Sequence, residues 1–193
     1  MKVIAVLATL DTKGEEAGFL RDKLAELGSR ALVVDMGVIG EPGTSADVSR
    51  EEVARAGGTE LTELLADPTR EKAAPVMVAG AIATLQKRLE AGELHGVLGL
   101  GGFQGTAACT EVMRALPYGL PKVMVSTAAS GDTSAYVDIK DITMMFSVGD
   151  ILGLNTFTRR VLANAAGAVH GMALTYERTE ASASDKPLIG ISN

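Results

Sequence analysis

Gly99, Gly101, Gly102 and Gly105 stand between the apolar run Val97-Leu98 and a helix-like stretch opening at Ala107. A buried strand, a glycine turn and a helix start in that order are what an anion-binding strand-to-helix junction needs. Glycines let backbone N–H groups approach a phosphate, and the helix N-terminus adds unpaired donors and a positive partial charge. The spacing matches no standard fingerprint. G-x-G-x-x-G requires glycine where Gln104 stands, and a Walker A loop requires Lys-Ser/Thr where Thr106-Ala107 stands. The same glycines would also serve a plain tight turn, and the loop alone leaves both readings open.

Three further polar, small-residue segments carry candidate groups. Lys13 is placed to neutralise a phosphate or to be solvated. Beside it Thr9, Asp11 and Thr12 suit a ribose hydroxyl, a metal-bound water or the N–H groups of the next helix. Asp35 ends an apolar run, where dinucleotide folds place a ribose-binding carboxylate. Ser126, Thr127, Ser130 and Gly131 suit phosphate oxygens or their own loop backbone. Together with Gly101, Gly102, Gly105 and Thr106 these form the expected binding set. An all-carboxylate Mg²⁺ site from Asp11, Asp35 and Asp132 is conceivable with a nucleotide, though nothing in the sequence requires it.

Other chemistries fare worse. A serine hydrolase needs a histidine base, and the two histidines, His95 and His170, fall at the amino end of a strand and late in a helix. Cys109 is the single cysteine, so there is no internal disulfide and no cysteine-based zinc site, and a buried thiol is the commoner fate.

The elements that must position these residues alternate. Residues 3–8 form a continuous apolar run, as in a strand covered on both faces. A polar turn over 9–14 leads to a helix with Ala17, Leu20, Leu24 and Leu27 on one face and Gly28 as its stop. A second strand at 31–35 and a long loop at 37–47 follow. Ser49 and Glu52 make a capping box for a short helix ending at Gly57-Gly58. A longer helix carries Met77, Ala81, Leu85 and Leu89, with Pro75 suited to its first turn.

The third strand, 96–100, feeds the glycine loop, and Thr106 or the loop itself caps the helix to Leu116. Strands at 122–126 and 142–146 flank a polar loop over 127–134, and a long helix begins near Asn155. Residues 177–186 read as a linker, and 188–191 as a new strand. Five strands with short connections and right-handed crossovers predict a doubly wound, mainly parallel α/β sheet, Rossmann-like or flavodoxin-like, in the order 2-1-3-4-5. All four polar segments then converge at the carboxyl edge. The expected domain covers residues 1–176, and 177–193 would open a second one.

With 193 residues, 47% hydrophobic and 22% charged, the chain is long enough for a sizeable core, built without Trp from aliphatic residues and Met. A net charge of −6 argues against broad nucleic-acid or acidic-membrane binding. The apolar N-terminal run is too short for a signal peptide, and no stretch suits a bilayer span. A reducing, cytoplasmic setting is the expectation.

Several runs together resemble one family. They are Thr9-Leu10-Asp11-Thr12-Lys13-Gly14-Glu15-Glu16, Gly99 to Thr106, Met113-Arg114-Ala115-Leu116-Pro117, Pro121-Lys122-Val123-Met124-Val125-Ser126-Thr127, Asp141-Ile142-Thr143-Met144-Met145, and Val161 to Ala168. This pattern is similar to the ATP-binding domain family named after the tomato mosaic virus resistance protein. The resemblance implies the amino-terminal half of a protein about twice this length, a Rossmann-like fold, ATP as ligand and homo-oligomerisation. Phe103-Gln104 departs from the family, where small residues are usual, and is expected to alter or partly cover the phosphate site.

The leading expectation is therefore a nucleotide-binding domain, with ATP and Mg²⁺ as candidate ligands. Lys13 and the N–H groups of Gly101, Gly102, Gly105 and Thr106 would hold phosphates, with Ser126, Thr127, Ser130 and Gly131 at the rim. An enzyme acting on a small phosphorylated or carboxylated metabolite and a protein-interaction module are the alternatives.

Overall fold

The computed structural model describes residues 1–178, with side chains to Tyr176. Five strands run β1 (Lys2–Ala8), β2 (Ser29–Asp35), β3 (Gly96–Gly101), β4 (Lys122–Ser126) and β5 (Thr143–Phe146). They form one all-parallel sheet in the order β2-β1-β3-β4-β5, as the right-handed crossover rule predicts. Among the described residues six helices connect them, α1 (Leu10–Glu26), α2 (Arg50–Ala56), α3 (Leu61–Ala66), α4 (Arg70–Glu90), α5 (Phe103–Arg114) and α6 (Ser134–Val137), and α7 (Thr156–Arg178) follows β5.

Alternating strand side chains feed two cores, one on each face. Ile4, Val6 and Val33 pack with Leu20 and Leu24 of α1 and Leu162 and Ala165 of α7. Ala5, Leu7 and Val97 pack with Met77 and Leu85 of α4 and Val112 and Met113 of α5. Helices therefore leave β1 and β3 on opposite faces, and a crevice opens between those two carboxyl ends.

Four local expectations are corrected. The segment 9–14 is no turn, because helix α1 starts at Leu10, where the Asp35 carboxylate accepts the Leu10 N–H at 3.1 Å. Its polar composition survives as a kink at Lys13 (φ −126°, ψ 19°). The Leu10 carbonyl, which Gly14 would satisfy in a regular helix, instead accepts the Gly43 N–H at 2.8 Å. Leu27 is the C-cap residue of α1, past its last full turn, and is 42% exposed rather than buried.

Pro75 is the sixth residue of α4, not part of its first turn. The hydrogen bond it cannot make would go to the carbonyl of Glu71, an exposed residue. Of the two caps expected for α5 the loop holds and Thr106 does not: Gly102 is the N-cap residue, and Thr106 lies one turn inside with its N–H bonded to the Gly102 carbonyl at 2.8 Å. Two short helices, α3 and α6, add to the expected elements.

The capping box on Ser49 and Glu52 is present, with both of its hydrogen bonds formed. Asn155 Oδ1 accepts the Phe157 and Thr158 N–H groups, while Thr158 Oγ1 accepts the Asn155 N–H at 2.8 Å. Helix α7 runs through the first two residues of the expected linker, and the rest of that linker and the strand over 188–191 lie outside the described residues. Among the described residues no helix is long and apolar enough to cross a membrane.

Candidate functional site

A cleft of about 270 Å³ occupies the crevice between β1 and β3. Ala8 and Thr9 at the end of β1, Met36 after β2 and Leu100 of β3 form its floor. Gln104, Gly105 and Ala108 of α5 make one wall, and Arg70, Ala73 and Met77 of α4 make the other. The lining is mainly apolar, with Thr9, Arg70 and Gln104 as its polar side chains.

The close fit of strand and helix here follows from glycine. A Cβ on Gly101 would lie 2.8 Å from the Gly105 Cα, a conflict with backbone that no rotamer relieves. Helix α5 therefore begins directly on the end of β3. No side chain caps it, and by helix geometry the N–H groups of Phe103, Gln104 and Gly105 have no acceptor within the helix. This wall offers hydrogen-bond donors and the positive end of a dipole beside an apolar space.

Of the expected set, Thr9 and Gly105 line the cleft, and Gly101, Gly102 and Thr127 stand next to it. Thr127 donates its N–H to the Gly101 carbonyl at 3.3 Å, and its Oγ1 lies 3.7 Å from where a Cβ on Gly102 would sit. Thr106 and Ser126 are fully buried and bond to each other at 2.6 Å. Ser126 Oγ also accepts the Ala128 N–H at 2.9 Å, so these hydroxyls tie the start of α5 to the end of β4 beneath the cleft. Ser130 and Gly131 form an exposed turn in which the Gly131 N–H reaches the Ala128 carbonyl at 3.1 Å.

The remaining candidates face other structure. The Lys13 ammonium donates to the Ile151 carbonyl, and Glu16 Oε1 accepts the Gly153 N–H at 2.8 Å. The kinked start of α1 thus clamps the connection from β5 to α7. Thr9 and Thr12 pair their hydroxyls at 3.0 Å. Gly14 and Gly43 are packed so closely that a Cβ on Gly14 would lie 2.6 Å from the Gly43 Cα. The loop after β2 consequently covers the first turn of α1, including Asp11, whose Cβ a Cβ on Gly40 would approach to 2.9 Å.

Asp35 is buried in a polar recess with Arg50, apart from the cleft. Its Oδ1 accepts the Leu10 N–H at 3.1 Å and the Gly37 N–H at 2.8 Å. Burial pushes its carboxyl above the ordinary value of 3.8, against the pull of those two N–H groups and Arg50. Asp132 is held by the Ser134 N–H at 2.9 Å. Among the described residues no group of three or more His, Cys, Asp or Glu is placed to hold a metal ion.

Both histidines belong to the amino edge. His95 Nδ1 accepts the Val3 N–H at 3.2 Å, and His170 Nδ1 lies 2.8 Å from the Ser29 hydroxyl. Cys109 lines the cleft, but burial pushes its thiol up to about 12. It is therefore a neutral wall atom at physiological pH, not a nucleophile.

Arg70 and the alanine wall of α4 are the residues that sequence reasoning left out of the site, and Gln104, expected to alter it, does line the cleft. The signal for Arg70 was available. Thr69 follows Pro68 as an extended N-cap, which starts α4 early enough to bring Arg70 to the carboxyl edge.

The matches with known proteins extend across this whole domain. A UPF0261 protein of Clostridium tetani is 43% identical over 189 residues, 98% of this chain and 46% of the relative. One from Mesorhizobium japonicum is 42% identical over 194 residues, 100% of this chain and 47% of the relative. The likeness to the tomato protein also holds, over part of the chain. The ToMV susceptible protein tm-1(GCR26) of Solanum lycopersicum is 44% identical over 102 residues, 49% of this chain and 14% of that protein. The chain spans about half the length of the curated bacterial relatives it matches. Residues 2–178 match the N-terminal domain of the uncharacterised protein family UPF0261, and the chain belongs to that family.

Proposed function

We propose that this domain binds a nucleotide in the cleft between β1 and β3, with phosphate on the first turn of α5 and the nucleoside against the apolar walls. The observation that carries this reading is the uncapped start of α5 opening into an apolar cleft where the helices diverge to opposite faces. Donors come from the backbone at Phe103, Gln104 and Gly105, with Arg70 and Thr9 across the space. Gly101 and Gly102 let the backbone approach the ligand, and Thr127 stands at the rim. Thr106 and Ser126 act one layer back, holding that floor in place, while Lys13 ties the start of α1 to Ile151. ATP is the nucleotide that the family resemblance singles out.

Calorimetric titration with ATP, with and without Mg²⁺, tests the reading together with Gly102→Asp. Gly102 has φ −75° and ψ −164°, open to any residue, and its built Cβ meets nothing closer than 3.7 Å. An aspartate there caps α5 and complements its dipole, so the variant should gain roughly 0.5 kcal/mol of stability. The same carboxylate occupies the donors and repels phosphate, so ATP affinity should fall at least about tenfold, some 1.4 kcal/mol. No heat with millimolar ATP, or a variant that binds as tightly as the parent chain, would defeat the proposal.

A further inference from the structure

The loop after β2 reaches the cleft with Met36, Val38 and Ile39. Its two ends are fixed. The Gly37 N–H is held by the buried Asp35 carboxylate, and the Gly43 N–H by the Leu10 carbonyl. Between them, residues 38–42 make two hydrogen bonds among the described residues, both to one side chain. Arg50 Nη1 donates to the Gly40 carbonyl at 2.6 Å and to the Ile39 carbonyl at 3.4 Å. Val38 is half-buried, but every residue from Ile39 to Pro42 is exposed, so packing does little to hold that stretch.

Arg50 is poorly placed for its own helix. It is the first residue of α2, where the macrodipole disfavours a cation, and its pairing with Glu51 at 3.5 Å involves a half-exposed carboxylate that contributes little. Yet its side chain is only 14% exposed. It lies in the polar recess lined by Asp35 and by residues 41–46, whereas Met36, Val38 and Ile39 line the cleft. The loop is therefore a partition, with the cleft before it and the guanidinium behind it.

We infer that Arg50, which does not line the cleft, is a positioning residue for it: by holding the Ile39 and Gly40 carbonyls from behind, it keeps the 38–42 wall in place before a ligand arrives. This rests on the nucleotide reading above and adds to it what preorganises the site. Without the guanidinium that wall must be ordered on binding, and the cost falls on affinity. Because one nitrogen serves both carbonyls, a lysine ammonium can stand in for it, and a methionine stem cannot.

Arg50→Met and Arg50→Lys in the 193-residue chain test the inference. The carbonyls that Arg50→Met releases belong to exposed residues that water can serve, and α2 loses an unfavourable cation, so this variant should melt close to the parent chain. Thermolysin, which cuts before isoleucine, should nick the Val38–Ile39 bond roughly threefold to tenfold faster, and calorimetry should show ATP bound weaker by a similar roughly threefold to tenfold factor. Arg50→Lys should restore both. A Met variant nicked at the parent rate or binding ATP as tightly as the parent, a Lys variant no better than the Met one, or weaker binding matched by a large fall in melting temperature overturns this inference and leaves the nucleotide reading standing. Absence of ATP binding by the parent chain and both variants overturns both.

Discussion

Asp35 shows how a residue type that points to ligand chemistry is absorbed by the fold. Its Oδ1 accepts one N–H from the start of α1 and one from the loop after β2, so it fastens two connections at the carboxyl edge. The task needs an acceptor, not a charge, and burial penalises the charge. Because the folded pKa is raised above 3.8, the penalty is absent below that value and grows as pH rises through the folded value. Asp35→Asn keeps an acceptor and removes the titration, so at pH 7 it should be within about 1 kcal/mol of the parent chain or more stable. Asp35→Ala strands both donors and should cost roughly 1–3 kcal/mol or more. Urea unfolding at pH 7 separates the two, and an Asn variant as damaged as the Ala variant would mean that the charge itself is needed.

At the scale of elements, Lys122 and Asp141 explain why a run that looks like a family signature is structural. Lys122 is completely buried at the start of β4, where its ammonium donates to the Pro117 and Leu120 carbonyls and to Asp141 Oδ1 at 2.7, 2.9 and 2.8 Å. Asp141 Oδ2 in turn accepts the Gly119 N–H at 2.7 Å. These bonds close the turn between α5 and β4 and pin the approach to β5. Burial works to raise the Asp141 pKa, but Lys122 and the Gly119 N–H outweigh it and hold the carboxyl below 3.8. The contribution is therefore complete above the unfolded pKa and is lost as pH falls through the folded one. Asp141→Asn should cost less than the roughly 3–5 kcal/mol typical of a broken buried pair, because its side chain is 41% exposed. The gap between variant and parent, measured by thermal unfolding, should shrink below pH 4. A gap that stays constant with pH would contradict the ion pair.

Elements differed in how much the chain disclosed of them. The helix starts at Ser49 and Asn155 were legible because their caps are local, made by residues within three positions. The start of α1 was not. Leu10 is held helical by Asp35, 25 positions away, and the kink at Lys13 depends on Gly43, so tertiary contacts overrode a loop-like composition. The start of α4 was hidden behind Pro75, and with it went Arg70 and the alanine wall. Glycines and hydroxyls announce a phosphate loop; an apolar cleft between helices announces itself only when both helix starts are known.

For the whole molecule, strand order and parallel pairing followed from hydrophobic runs and crossover handedness, because a right-handed connection leaves few ways to wind five such units. A doubly wound sheet with helices on both faces was also legible, but which helices share a face was not. The two cores share no residues, with α1 and α7 on one side of the sheet and α4 and α5 on the other. They are joined only through strands whose successive side chains alternate, Val6 entering one core and Leu7 the other. A strand cannot lose one face and keep the other, so the halves should unfold together. Leu24→Ala opens a cavity on the α1 side and Leu85→Ala on the α4 side; both side chains are fully buried, and each change should cost about 2–5 kcal/mol. In urea each variant should show one transition with an unchanged m value and a lowered midpoint, coincident by circular dichroism and tyrosine fluorescence. A second transition in Leu85→Ala alone would mean that the α4–α5 side, which walls the cleft, can open while the α1 side stays folded.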